Sequence, residues 1–229
     1  MRSVKILYED DSVIVVVKPA GMLSQNDRSS AMDMVSFLRN HLHRQYIGVV
    51  HRLDRNVGGV MVYALTKEAA ADLSSQAASG GLQKRYKAVV TGRPAAQEGE
   101  LTDYLVADRQ KNFVRVADKA APGAKKAVLR YKVNVEEVLR IPGMTEDFSS
   151  VLCVLDIELL TGRQHQIRVQ TANAGFGILG DIKYNKERTE EIFWPAARGV
   201  KPYLFACGLS FRHPVTGREM TFTEDPEWE

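Results

Sequence analysis

The chain has almost no cysteine. Its 229 residues contain two, Cys153 and Cys207, and each sits inside an apolar run, VLCVLDI and YLFACGL. Buried free thiols are expected there rather than a disulfide. The five histidines are scattered, and no Cys or His pair has zinc-finger spacing, so no structural metal is expected. No window reaches the roughly 18 apolar residues of a membrane-spanning helix. The start, MRSVKILYEDDSVIVVV, lacks a long apolar stretch behind a basic end, so neither a signal peptide nor a membrane partner is expected, and the cytoplasm is the expected compartment. Gly58-Gly59 and Gly175-Phe176-Gly177 lack the spacing of a phosphate loop, and no Gly-Lys-Ser/Thr follows a glycine run. A Gly-x-Ser-x-Gly elbow is also missing, which leaves serine hydrolysis without support.

Strong charge of one sign is absent too. With 31 basic and 28 acidic residues the net charge is +3, which permits a polyanionic partner only if the basic residues share a face. They cluster in sequence, at QKRYK (83 to 87) and KNFVRVADKAAPGAKKAVLRYK (111 to 132). Lysines defending a strand edge would give the same pattern.

The length suits one large domain, or two lobes sharing a core. VKILYED and SVIVVVKP predict two strands around an acidic turn, the second broken by Lys18-Pro19-Ala20-Gly21. Ser29 or Ser30 is the expected cap of a helix through AMDMVSFLRNHLH. Thr66 is the expected cap of KEAAADLSSQAAS, with Glu68 in its first turn and Gly80-Gly81 as its stop. YIGVV, GVMVYAL, KRYKAVVTG, KNFVRV, AVLRYKVNV and VLCVLDIELL read as strands, and a short helix is expected from Gln164 to Asn173. LRIPGMTEDFSS reads as a surface loop, and PYLFACGLSF-RHPVTGR-EMTFTE as a hairpin. Strands outnumber helices and are mostly joined by short loops. The expectation is an α+β fold with a mixed, mostly antiparallel central sheet, flanking helices and an active-site cleft.

HRLDR (51 to 55) lies in the loop between two strands. A carboxylate close to two guanidiniums stays ionised and can act as nucleophile or base, or it can simply fix a turn. ELLTGRQHQIRVQTANAGFGILGD gathers Arg163, His165, Gln166 and Arg168 at a strand-to-helix junction, and these side chains suit phosphates and base edges.

Taken in order, ILYEDDSVIVVVKPAG, HRLDRNVGGVMVYALT, QKRYKAVVTG, LTGRQHQIRVQ with GILGDIKY, and HPVTG resemble the RluA-type pseudouridine synthases over most of residues 6 to 217. The resemblance implies a pseudouridine synthase fold in a single catalytic domain, 1 to 229, without the small N-terminal RNA-binding domain of many relatives. It implies an isomerase of uridine in structured rRNA or tRNA, needing no cofactor and working as a monomer. Asp54 would be the nucleophile, Tyr86 would stack on the uracil, and Arg168 would pair with Asp54. Arg52, Arg55, Arg163 and His165 would contact RNA and the target base, and Ile167 or Leu179 would wall off the base. Three departures bear on substrate and loop conformation: Val57-Gly58-Gly59 for the usual Thr-Ser-Gly, Gln170 for the usual His, and Phe176-Gly177 for the usual His-Pro. Two other classes compete. One is an RNA-binding protein or RNA chaperone with weak or lost catalysis, and the other is a hydrolase that uses Asp54 as base and releases uracil.

Overall fold

The run VIVVV becomes the buried part of β2 (Val13–Lys18) in the computed structural model, which describes residues 4–27, 31–108, 110–134, 141, 152–193 and 199–228. Ser29, Ser30 and most of LRIPGMTEDFSS lie outside the described residues. The chain divides into two compact units, Met1–Arg85 with Phe205–Pro226, and Tyr86–Leu204 with the last residues, Glu227–Glu229.

In the first unit β2 pairs antiparallel with β1 (Lys5–Glu9) and with β4 (Gly58–Ala64), in the register Val13↔Ala64 to Lys18↔Gly59. All seven residues of β4 are buried, as befits a central strand covered on both faces. Its other edge meets the short β3 (Gly48–Val49) at Tyr63 and Ala64, and β10 (Leu204–Arg212) in parallel at Gly58 and Gly59. Between those pairings the Val62 N–H donates to His51 Nε2 at 3.2 Å, so a side chain completes the strand edge. β11 (Glu219–Thr223) closes the expected hairpin with β10. His213 and Tyr8 both hydrogen-bond Asp10, tying that hairpin to the β1–β2 turn.

Side chains alternate across a strand. One face of this sheet therefore offers Val13, Val15, Val60, Val62, Leu209 and Phe211, and α2 (Lys67–Ser79) packs Ala69 and Leu73 into the same cluster. α2 has the expected ends: Thr66 accepts from the Ala69 N–H, and Gly80 is left-handed. α1 (Met34–Leu42) is capped by Asp33 instead of by an upstream serine. The Asp33 carboxylate accepts from both the backbone N–H and the hydroxyl of Ser36. An aspartate at this position fills the cap role within the helical pattern itself.

The second unit has the strand order β5 (Gln83–Thr91), β9 (Leu152–Leu159), β8 (Lys125–Asn134), β6 (Glu98–Asp108), β7 (Phe113–Ala117), with the β9–β8, β8–β6 and β6–β7 pairs antiparallel. β6 is absent from the sequence expectation. Of its 11 residues only Leu105 is fully buried, and acidic side chains cover its exposed face, where Glu100 meets Arg130 on β8. α3 (Gln166–Asn173) matches the expected short helix. α4 (Lys186–Phe193) does not appear in the sequence expectation, because its buried Thr189, Ile192 and Phe193 are too few to make a period. Helices and a mixed, mostly antiparallel sheet give the α+β class expected. Cys153 is buried and Cys207 half-buried, and among the described residues the two form no disulfide. Among the described residues no helix is long and apolar enough to cross a membrane.

Gly59 has φ +131°, and a Cβ there would run into the backbone of Ala206 on β10. Gly59→Ala should cost at least about 2 kcal/mol, from strain and overpacking together. An unchanged urea midpoint would show that β4 and β10 do not approach in this register.

Burial pushes the His51 pKa from 6.5 down to about 3, and the Lys84 ammonium adds like-charge repulsion. Between those values the unfolded chain takes up a proton that the native ring refuses. Stability should therefore fall as pH drops below 6.5, with a slope of up to one proton. His51→Gln should shrink the difference in urea midpoint between about pH 7.5 and about pH 5. An equal difference in both proteins would mean that the ring is not held neutral.

Candidate functional site

The sequence expectation divides its site residues between the two units, and each half is built by a different device. In the first unit HRLDR forms the loop from β3 to β4. The Val57 N–H donates to the Asp54 carbonyl at 3.0 Å, which makes a tight turn beginning at Asp54. Both residues flanking Asp54 are held by the broken segment after β2. Ser24 Oγ donates to the Leu53 carbonyl at 2.8 Å and accepts from the Leu53 N–H at 3.0 Å. On the other side the Arg55 carbonyl accepts from the Gly21 N–H at 2.7 Å and from Lys18 Nζ at 3.2 Å. Arg55 Nε returns a bond to the Gly21 carbonyl at 3.1 Å.

Lys18 is fully buried, and its ammonium also donates to the carbonyls of Pro19 (3.1 Å) and Met22 (2.8 Å). Three donors thus meet three backbone acceptors from two loops. Asp54 is half-buried within this frame, while Arg52 and Arg55 are exposed.

The turn after Asp54 accounts for one departure from the family pattern. Gly59 is the position whose positive φ requires glycine, and glycine stands there. At Gly58 a Cβ would sit 3.3 Å from the Lys18 carbonyl and from the Phe205 ring, so a side chain there would have to displace its neighbours. Val57 is buried, and its methyls take the place of a hydroxyl.

In the second unit the strand-to-helix junction after β9 carries TGRQHQIR. Gln166 is committed inward, which corrects its reading as a group for phosphates and base edges. Its Oε1 accepts from Thr161 Oγ1 and from the Arg163 N–H, and its Nε2 donates to the Val128 carbonyl and to Gln170 Oε1. Gln170 passes the chain on to Asp103 Oδ2 (2.8 Å) and to the carbonyls of Leu101 and Ala127. This buried amide ladder fastens α3 to β6 and β8, and it gives the Gln170 departure a structural purpose.

Arg163 is exposed; its Nε donates to the Lys126 carbonyl at 2.9 Å. Gln164 reaches Asn112, as does Lys183. The basic segments 111 to 132 and 163 to 168 are therefore joined within this unit. His165 is 8% exposed and has φ 52°, a left-handed backbone that is rare for a residue with a side chain.

Arg168 makes a two-toothed ion pair with Asp181, Nε to Oδ2 at 2.7 Å and Nη2 to Oδ1 at 2.8 Å. Asp181 is buried, and the sequence expectation did not single it out. Its signal was the Asp that ends GILGD, 13 residues after Arg168. Tyr86, the fourth residue of β5, is 5% exposed, and Ile167 is 4% exposed on α3. Leu179 is fully buried in the core cluster of Val89, Ile141, Leu152, Ile192, Phe193 and Tyr203, which gives it a packing role. Phe176 packs on Tyr131 with ring centroids 5.5 Å apart. A Cβ on Gly177 would collide with Asn185, which bonds Thr91 and the Ile178 carbonyl, so that departure also has a local steric cause. Among the described residues no group of three His, Cys, Asp or Glu side chains could hold a metal ion.

The sequence profile of the RNA pseudouridylate synthases matches residues 12–173. The chain is 34% identical over 242 residues to tRNA pseudouridine synthase C of Yersinia pestis, covering 98% of this chain and 88% of that protein. It is 31% identical to tRNA pseudouridine synthase C of Vibrio parahaemolyticus, covering 98% and 92%. Ribosomal large subunit pseudouridine synthase C of Salmonella typhimurium is 30% identical, with 94% of this chain and 64% of that protein covered. Among solved structures, human RNA pseudouridylate synthase domain containing 4 superposes with a TM-score of 0.74 at 21% identity, over 96% of this chain and 88% of that one. Human RNA pseudouridylate synthase domain containing 1 gives the same TM-score at 18% identity, over 98% and 84%, so both speak for the fold. The ordered motifs, the fold and the match over residues 12–173 agree: the chain belongs to the RNA pseudouridylate synthase family.

Proposed function

We propose that this pseudouridine synthase isomerises a uridine of transfer RNA, with Asp54 as its nucleophile. The choice of RNA rests on similarity: relatives named for tRNA are 31% and 34% identical over 98% of this chain, against 30% over 94% for one named for the large ribosomal subunit. Ribosomal RNA remains the second reading, because identity to that relative is nearly as high.

The observation that carries the role of Asp54 is its frame. A loop carboxylate that only balanced nearby arginines would not need the backbone of both neighbouring residues fixed by Ser24, Gly21 and a buried ammonium. In the reaction the N1–C1′ bond of the uridine breaks with Asp54 as nucleophile. The uracil turns, C5 bonds to C1′, and the proton on C5 is lost while N1 gains one. Atoms and electrons balance within one substrate, so no redox partner enters.

Tyr86 stacks on the flipped uracil, offsetting part of the few kcal/mol that unstacking costs. Arg168, with Nε and Nη2 held by Asp181, offers an oriented guanidinium, and the family resemblance gives it the role of partner to the Asp54 carboxylate. Arg52, Arg55, Arg163 and His165 contact the RNA, and Ile167 supplies the apolar wall.

Asp54→Asn should abolish pseudouridine formation while the fold and most RNA affinity persist. If the carboxylate only fixed a turn, the amide would still accept a hydrogen bond, and the cost would be about 1 to 3 kcal/mol of stability with turnover retained. A folded variant that still forms pseudouridine near the wild-type rate, checked for deamidation, would overturn the assignment. Free uracil in the wild-type reaction would instead identify a hydrolase, and binding without either product an RNA-binding protein. Run on transfer RNA and on ribosomal RNA in parallel, the same assay decides the substrate class.

Tyr86→Phe should keep RNA affinity, and Tyr86→Leu should lose roughly 1 to 3 kcal/mol of it. Equal affinity for Leu and wild type in a titration would make Tyr86 a core residue only.

A further inference from the structure

Tyr184 sits three residues beyond Asp181 and touches two of the proposed substrate-handling residues at once. Its hydroxyl lies 2.7 Å from His165 Nδ1 and accepts the Val114 N–H at 2.9 Å. The ring stands edge-on to the His165 ring at 5.6 Å between centroids, and the Arg168 guanidinium carbon lies 5.1 Å from its centre. The Tyr184 backbone N–H donates to Asp181 Oδ1 at 3.3 Å, the same oxygen that receives Arg168 Nη2. Phe113 leans on the other side at 5.0 Å. One side chain is thus fixed by the β7 backbone and by the turn that carries Asp181, and it fixes His165 and Arg168 in turn.

His165 needs such a partner. Its left-handed backbone, φ 52°, sets where the ring points but not which nitrogen carries the proton. In a neutral imidazole the hydrogen bond made by one nitrogen decides the role of the other. The Tyr184 oxygen already receives the Val114 N–H. Its own proton, with an imidazole nitrogen at 2.7 Å, is best spent on that nitrogen.

We propose that Tyr184 is a positioning residue of the synthase: its hydroxyl donates to His165 Nδ1 and holds His165 as the Nε2–H tautomer, a donor for an oxygen of the RNA, while its ring braces Arg168 against Asp181. The inference rests on the reading of His165 as an RNA contact. It adds the group that gives His165 its donor. A histidine without the Tyr184 bond populates both tautomers, and one of them presents a lone pair to an oxygen of the substrate, where it repels. The arrangement follows the general pattern in which an outer partner fixes the ring of a functional histidine.

The test combines a double-mutant cycle with nitrogen NMR. Tyr184→Phe keeps the ring against Arg168 and removes the hydroxyl. It should lower single-turnover pseudouridine formation at saturating RNA by about tenfold, the equivalent of one net hydrogen bond, with RNA affinity changed less than roughly twofold. In a His165→Gln background the same substitution should cost nothing further, because residues acting as one unit are not additive. Losses that add in the double variant would overturn the proposal, since a hydroxyl that merely satisfied the Val114 N–H would act regardless of residue 165.

In 15N-histidine-labelled protein, the His165 signals, identified by their loss in His165→Gln, should show an unprotonated Nδ1 and a protonated Nε2. In Tyr184→Phe they should move toward a mixture. A protonated Nδ1 in the wild type would overturn the tautomer assignment. Wild-type turnover in His165→Gln would overturn the RNA-contact reading and the functional part of this proposal with it, and the NMR spectra would then decide the tautomer independently.

Discussion

A lysine with no exposed surface is the constraint on which the placement of Asp54 depends. The Lys18 ammonium lies among the carbonyls of Pro19, Met22 and Arg55. A buried charge is costly unless its surroundings compensate it, and here the dipoles of three backbone carbonyls contribute. Those carbonyls point inward only because Pro19 ends β2 and Gly21, at φ 101°, turns the chain back. The geometry thus runs one way. β2 and β4 fix Lys18, Lys18 and Gly21 fix the Arg55 carbonyl, Ser24 fixes Leu53, and Asp54 between them has little freedom left. A reactive carboxylate on an ordinary surface loop would lose that placement to loop motion.

What the sequence made legible was what local rules determine. β2 and β4 are apolar runs that no exposed element could carry, and α2 announces both its ends, Thr66 and Gly80. HRLDR stood out as a candidate site because its residue types are unusual between two apolar strands. β6 was not, since EGELTDYLVAD mixes charged and apolar residues with only Leu105 fully buried, and its order comes from pairing with β7 and β8. The cap of α1 was assigned to a serine upstream because Asp33 lies inside the run that was read as helix.

The ties among the candidate residues of the second unit were hidden for a different reason. Gln166 and Gln170 look like surface amides in a polar helix start, and only their burial turns them into a ladder. The partner of Arg168 stands 13 residues away, beyond the end of α3, at a spacing no helical or strand period marks. Tyr184 was legible only as part of GILGDIKY. Its bonds to Val114 and His165 span 70 and 19 residues, which is tertiary information. The departures from the family pattern follow the same logic. Val57-Gly58-Gly59 keeps the glycine that φ demands, and Gly177 yields space to Asn185, so in both cases the backbone path is kept while side chains differ.

A net charge of +3 says little about how such a protein grips a polyanion, because its arginines are not equivalent. Arg168 spends Nε and Nη2 on Asp181 at 11% side-chain exposure, so its charge is balanced where it stands. Arg55 and Arg163 each spend Nε on a backbone carbonyl, Gly21 in one unit and Lys126 in the other, and both side chains are exposed. A guanidinium anchored at Nε keeps its charge and presents its two terminal nitrogens in a fixed plane, the geometry that suits phosphate oxygens. A carbonyl anchor orients the group without neutralising it, whereas a carboxylate anchor does both. The same side chain thereby takes two forms: Arg168 is part of a braced, charge-compensated cluster, whereas Arg55 and Arg163 are oriented by carbonyls that leave their charge in place. What each arginine is anchored to, more than the total charge, therefore sets its electrostatic character, and a near-balanced total is no obstacle to a polyanionic partner.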